Sequence, residues 1–210
     1  MGSFVLIRPQ DDAESRQASD WGKMISEYWT KVTVHTKSQD INQYSPADAK
    51  TISAAIGSSA DLVLYFGHGD DTSWLTSGSA TIDASNVHPA SGKAVVSVAC
   101  KTGCNLGPDA ITVGVRSWLG FTIMVAVVAM HKTRDPFGDA MYKGIQCLGS
   151  GGSMQNARDA IVSELDQLRK DFDKGGSLNT HPAWQLGMFA AIALRDHTVL
   201  HGDAAYCPLP

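Results

Sequence analysis

Short apolar runs of buried-strand length alternate along this chain with segments whose apolar residues recur every three or four positions, and this alternation narrows the fold more than any other feature. Such alternation marks βαβ units, in which a mostly parallel sheet is covered by helices on both faces. The first run is Phe4 to Ile7. Trp21, Met24, Ile25 and Tyr28 then follow the i, i+3, i+4, i+7 spacing of one helix face, and Lys31 to His35 reads as a β-branched second strand. In Ser45-Pro46-Ala47-Asp48, Ser45 suits a cap, Pro46 the first turn and Asp48 the positive end of a helix running to about Ile56.

Leu62 to Phe66 and Lys93 to Val98 are the two clearest buried strands, and each ends abruptly in small or polar residues. Between them, Asp70 to Gly92 is rich in Ser, Thr, Gly and Asp, which predicts a loop with a minor hairpin around Ala80 to Ile82. Beyond Cys100 the pattern predicts a helix around Asp109 to Trp118, a strand from Phe121 to Ala129 and a helix from Asp135 to Leu148. The most regular helix runs from Ser153 to about Lys174, with Met154, Ala157, Ile161, Leu165, Leu168 and Phe172 on one face and Gly175-Gly176 at its end. Met188 to Leu194 and Thr198 to Leu200 read as strands. The expectation is a three-layer α-β-α domain spanning 1–210 around a mostly parallel sheet.

Composition excludes several function classes. The chain is 43% hydrophobic and 18% charged, the balance of a packed globular protein. Its formal net charge of -4 and lack of a basic cluster argue against nucleic acid as a partner. The longest apolar run, Phe121 to Met130, is far shorter than the ~20 residues of a helical membrane span. Phe4 to Ile7 is too short for a signal-peptide core, and the four cysteines, Cys100, Cys104, Cys147 and Cys207, suit free thiols in a chain of this size. A cytoplasmic protein without membrane association is expected. No nucleotide-cradling motif and no ligand cluster for zinc appear, so no cofactor and no metal are expected.

Chemistry concentrates at two strand ends. Leu62-Val63-Leu64-Tyr65-Phe66 runs into Gly67-His68-Gly69, and Val95-Val96-Ser97-Val98 runs into Ala99-Cys100. In a parallel sheet such ends lie on one edge, where open α/β sheets bind ligands. A thiol with an ordinary pKa near ~8.5 is mostly protonated at neutral pH, so an adjacent imidazole that takes its proton makes it a usable nucleophile. Gly69 leaves its own amide unshielded. With the Cys100 amide it is suited to stabilise an oxyanion.

An apolar strand ending in His-Gly, followed by an apolar strand ending in Ala-Cys, resembles the clan CD cysteine peptidases, which include caspases, gingipains and CHAT proteins. Arg116-Ser117-Trp118-Leu119-Gly120, the helix with Phe137 and Tyr142, and Asn156-Ala157-Arg158-Asp159-Ala160 are similar in order to the elements of CHAT domains; the likeness covers roughly Asp61 to Leu168. The resemblance implies a caspase-like fold and a cysteine endopeptidase with His68 and Cys100 as a dyad needing no third member. It also implies the Gly69 and Cys100 amides as oxyanion hole, a protein or peptide substrate, a regulatory protein or activator, and a role in bacterial defence or cell death. The chain departs from caspases, whose cysteine sits in Gln-Ala-Cys-x-Gly with the histidine about 50 residues upstream. Val98 stands where that glutamine would be. In this clan that position lines the pocket for the side chain before the cut bond, and Val98 points to a neutral residue there; His131 and Asp135 are candidates for other walls.

Each residue also has a plainer reading. A strand-end cysteine is often a small buried hydrophobe, and an acidic pair such as Asp70-Asp71 is usually just solvated. A silent scaffold that binds a partner is the corresponding rival to the enzyme.

Overall fold

The computed structural model describes residues 2–33, 35–42, 47–125 and 135–210. Its centre is a six-stranded sheet of β1 (Ser3–Ile7), β2 (Thr36–Ile41), β3 (Leu62–Phe66), β7 (Ala94–Val98), β8 (Ser117–Phe121) and β9 (Thr198–Gly202), ordered β2-β1-β3-β7-β8-β9. The first five run parallel and β9 closes the edge antiparallel to β8. A three-stranded antiparallel sheet, β4 (His68–Gly69), β5 (Ser73–Thr76) and β6 (Ser79–Asp83), grows out of the end of β3.

Side chains alternate across a strand, so each central strand serves two cores. Phe4, Leu6, Leu64, Phe66, Val96 and Val98 face one layer made of α1 (Ala13–Lys31), α4 (Pro136–Gln146), α5 (Met154–Phe172) and α6 (Trp184–Asp196). Val5, Ile7, Val63, Tyr65 and Val95 face the other, made of α2 (Ala49–Ile56), α3 (Leu106–Thr112) and the β5–β6 hairpin. The expected three-layer α/β architecture is therefore the observed one.

Four boundaries differ from the sequence expectation. Lys31, Val32, Thr33 and His35 are not in a strand: Trp21, Ile25 and Trp29 keep their helical spacing on the core, and α1 continues to Lys31. The second strand is the polar Thr36–Ile41, an edge strand with only Ile41 buried, and Val34 lies outside the described residues. Helix α2 is capped by Asp48, whose carboxylate accepts from the Thr51 amide at 2.7 Å, while Ser45 and Pro46 lie outside the described residues. Helix α3 ends early because Gly114 takes a left-handed turn (φ +95°), so the next strand starts at Ser117 and ends at Phe121; 126–129 lie outside the described residues.

Met188 to Leu194 belongs to a helix. Gly187, Ala190, Ala191 and Leu194 form its buried stripe, with Gly187 against the Phe172 ring. A short apolar run does not by itself separate strand from helix. Helix α5 matches expectation: Ser153 caps it, accepting from the Asn156 amide at 3.2 Å, and all six predicted apolar residues are buried. Among the described residues no helix is long and apolar enough to cross a membrane.

Candidate active site

The sheet order reverses between β1 and β3: from β1 the chain moves one way to β2, then returns to the other side of β1 for β3 and β7. Crevices open at the carboxyl ends of strands around such a switch point. Three polar residues follow those ends, Asp12 beyond β1, His68 beyond β3 and Cys100 beyond β7.

Register brings the last two together. β3 and β7 pair with Phe66 opposite Val98, and the Gly67 amide donates to the Val98 carbonyl at 3.3 Å. His68 and Cys100 each lie two positions further on. They share the parity of Phe66 and Val98, which point to the α1 layer. Both line one pocket of about 290 Å³, together with Val98 and residues of α1 and of the segment after β8.

Between them the backbones meet closely. A Cβ on Gly69 would lie 2.6 Å from Thr102 Cγ2 and 3.1 Å from the Cys100 carbonyl oxygen, so only glycine lets β4 approach the Cys100 turn. The Asp70 amide donates to the Ser73 carbonyl at 3.0 Å, which fixes the alternation of the β4–β5 ladder. Gly69, opposite Trp74, then occupies a non-hydrogen-bonded position with its N–H turned away from β5. The Cys100 amide has no acceptor among the described residues.

The Cys100 turn is held from below by buried polar groups. Trp74 Nε1 donates to Ser97 Oγ at 2.9 Å, and Ser97 Oγ lies 2.8 Å from Thr102 Oγ1. Trp74 also stacks on Tyr65 at 4.2 Å, and the Tyr65 hydroxyl lies 2.7 Å from the His68 carbonyl oxygen to which it donates. Lys101 adopts a left-handed conformation (φ 57°), the sharp turn that reverses the chain after the thiol. Its amide donates to the Ile123 carbonyl at 3.0 Å, and His201 Nε2 lies 2.8 Å from the Gly103 carbonyl oxygen.

The reactive groups have defined partners. His68 Nε2 is 2.7 Å from Asp12 Oδ2, while Asp12 Oδ1 accepts from the Ser15 amide at 2.8 Å as the cap of α1. The Ser15 amide first, then the Ser15 hydroxyl and His68, hold the Asp12 carboxyl down at about 2 against the opposing effect of desolvation. An ionised carboxylate only accepts, so Nε2 carries a hydrogen, and in the neutral form of the ring Nδ1 is the nitrogen with the lone pair. Cys100 Sγ accepts from the Val125 amide at 3.3 Å; no hydrogen bond joins it to the imidazole.

Other residues singled out in the sequence fall elsewhere. The Asp135 carboxylate caps α4, accepting from the Phe137 amide at 3.0 Å, and also accepts from Trp21 Nε1 at 2.7 Å and from Gln17. Asp135 lines a separate groove between α1 and α4. His131 lies outside the described residues. Asp70 folds its own turn by accepting from the amides of Thr72 and Ser73, and the Asp71 carbonyl accepts from the amides of Asn105 and Leu106. Asp12 and Val125 were not anticipated. The available cue for Asp12 was an acidic residue just past the first strand, on the same sheet edge as His68 and Cys100.

No family model and no curated protein matches the chain. Among solved structures, it is similar to the complex of Porphyromonas gingivalis RgpB pro- and mature domains, with a TM-score of 0.59 and 13% identity over 99% of this chain and 48% of that one. It is likewise similar to the Arg-specific cysteine proteinase gingipain R, with a TM-score of 0.58 and 15% identity over 98% of this chain and 47% of that one. The chain thus spans about half the length of these neighbours. What the likeness establishes is architecture: a mixed α/β domain with a mostly parallel sheet between helices, the caspase-like fold of gingipain R.

Proposed function

We propose that this chain is a cysteine endopeptidase of the CHAT type, with Cys100 as nucleophile and His68 as its acid/base partner. The observation that carries the reading is the convergence of both residues, from the ends of adjacent parallel strands, on one pocket. The caspase-like fold shared with gingipain R supports it. The arginine specificity of gingipain R is a property of that enzyme and forms no part of the proposal.

His68 Nδ1 takes the thiol proton as Sγ bonds to the scissile carbonyl carbon. The oxyanion so formed accepts from the Gly69 and Cys100 amides. When the C–N bond breaks, imidazolium Nδ1–H protonates the departing amine and a thioester to Cys100 remains. His68 then takes a proton from water as it attacks the thioester, and returns that proton to the leaving thiolate. Asp12 keeps the hydrogen on Nε2 throughout and stabilises the transient imidazolium, a positioning role that extends the expected dyad.

The substrate is a protein or peptide and the setting cytoplasmic. An unregulated endopeptidase would endanger its own cell, so the proposal includes control by a partner or activator, in a defence or cell-death pathway.

The test is to incubate the protein and its Cys100→Ala variant with a proteome-derived peptide library and map new termini by mass spectrometry. New termini that appear only with intact Cys100 support the enzyme. Identical termini in both samples exclude Cys100, and none in either favours the silent scaffold or an enzyme awaiting its activator.

A further inference from the structure

The pocket beside Cys100 has a chemistry of its own. It is walled by Ala18 from α1, Val98 from β7 and Val125 after β8, all belonging to the core on that face of the sheet, with Met124 exposed at its rim. Apart from His68 and Cys100, the polar side chains of its lining among the described residues are already used or face water. The Ser15 hydroxyl accepts from the Asp12 amide at 3.0 Å and donates to the Asp12 carbonyl at 3.3 Å. Glu14, the only acidic residue of the lining among the described residues, is exposed on the first turn of α1 and retains its hydration.

Position decides which substrate group enters. A carbonyl carbon within bonding reach of Sγ is one bond from the Cα of its own residue. The side chain nearest the thiol is therefore that of the residue preceding the cut bond. At about 290 Å³ the pocket suits a single side chain, lying at the low end of ligand sites. A buried charge or amide there would lose water without gaining a partner, whereas an aliphatic chain gains burial.

We propose that this pocket, walled by Ala18, Val98 and Val125, selects an uncharged aliphatic side chain of the leucine or methionine kind immediately before the cut bond. The proposal rests on the peptidase reading, because it needs a substrate acyl group on Cys100. It turns the neutrality expected from Val98 alone into a defined enclosure, and it does so with residues of three separate elements.

The experiment uses peptidyl acyloxymethyl ketones that differ only in the residue next to the warhead: Leu, Met, Arg or Asp. Cys100 Sγ displaces the carboxylate from the methylene carbon, forming a C–S bond as the C–O bond breaks, with the thiol proton passing to His68. The rate of mass gain at Cys100 is read beside that of iodoacetamide, which carries no side chain. The Leu and Met probes are expected to react at least about tenfold faster than the Arg and Asp probes. Ala18→Leu, which fills the pocket, is expected to slow the Leu probe about tenfold, with iodoacetamide reporting whether the thiol itself has changed.

Fastest reaction with Arg or Asp overturns the proposal; an Arg preference that disappears in Glu14→Gln assigns the pocket to cations instead. Equal rates for all four probes overturn the pocket assignment and leave a reactive Cys100. Failure of every probe to modify Cys100, where iodoacetamide does, sinks the peptidase reading and this inference with it. The four probes on the unaltered protein decide the matter even if Ala18→Leu does not fold.

Discussion

Asp12 and His68, one ending the connection after β1 and the other opening β4 just beyond β3, meet at 2.7 Å, and the same carboxylate caps α1 with its second oxygen. One side chain thus sets both where the helix begins and which way the imidazole faces. Asp12→Asn preserves the cap, because asparagine caps as well as aspartate. Its amide presents a donor to Nε2 and so favours the wrong tautomer. Peptide cleavage is expected to fall on the order of 10²-fold or more with helix content unchanged, read as kcat/KM beside circular dichroism.

The same carboxylate makes an acid-range prediction. Its pKa is lowered from 3.8 to about 2 on folding. A depressed carboxyl pKa contributes stability that is complete above the unfolded value and is lost as pH falls through the folded one. The contribution is therefore full above pH 3.8 and disappears toward pH 2. Acid unfolding followed by circular dichroism is expected to be steeper in that window for the native protein than for Asp12→Asn, whose amide does not titrate. Parallel curves through that window refute the assignment.

Gly69→Ala probes the close approach of β4 to the Cys100 turn. The added methyl would sit 2.6 Å from Thr102 Cγ2, within a group that is fully buried, and must push the two backbones apart. A misplacement of about 1 Å at reacting groups costs on the order of 10²-fold in rate. The expected outcome is a loss of that order in library cleavage. Activity close to that of the native protein would mean that β4 and the thiol turn do not act together.

Ser97→Ala removes the only hydrogen-bond partner shown for Trp74 Nε1, in a position where both residues are fully buried. An unsatisfied buried donor costs about 1 to 3 kcal/mol. Urea denaturation followed by tryptophan fluorescence is expected to show a stability loss in that range. A loss below ~0.5 kcal/mol would show that the pillar beneath the turn tolerates a missing link.

What the sequence revealed follows from what burial does to composition. Strands β3 and β7 are covered on both faces, so they read as mostly apolar runs, with Ser97 the one hydroxyl-bearing exception in β7, and the placement of His68 and Cys100 just past their ends was legible for that reason. Strand β2 lies at the sheet edge and buries only Ile41, so its residues carry no such run. Asp12 was hidden in plain helix-start chemistry: Asp12 and Ser15 form a capping box, and nothing local reveals that the second carboxylate oxygen reaches a histidine from another strand. Val125 acts through its amide, which leaves no trace in residue type.

His201 braces the loop that follows Cys100 through the Gly103 carbonyl, and it belongs to the strand that closes the sheet. During translation Asp12, His68 and Cys100 emerge from the ribosome well before that strand. A nascent chain therefore carries these three residues before His201 exists to reach the Gly103 carbonyl, and this brace of the Cys100 turn cannot form until β9 has been made. Assembly order itself delays the moment at which this rim is complete.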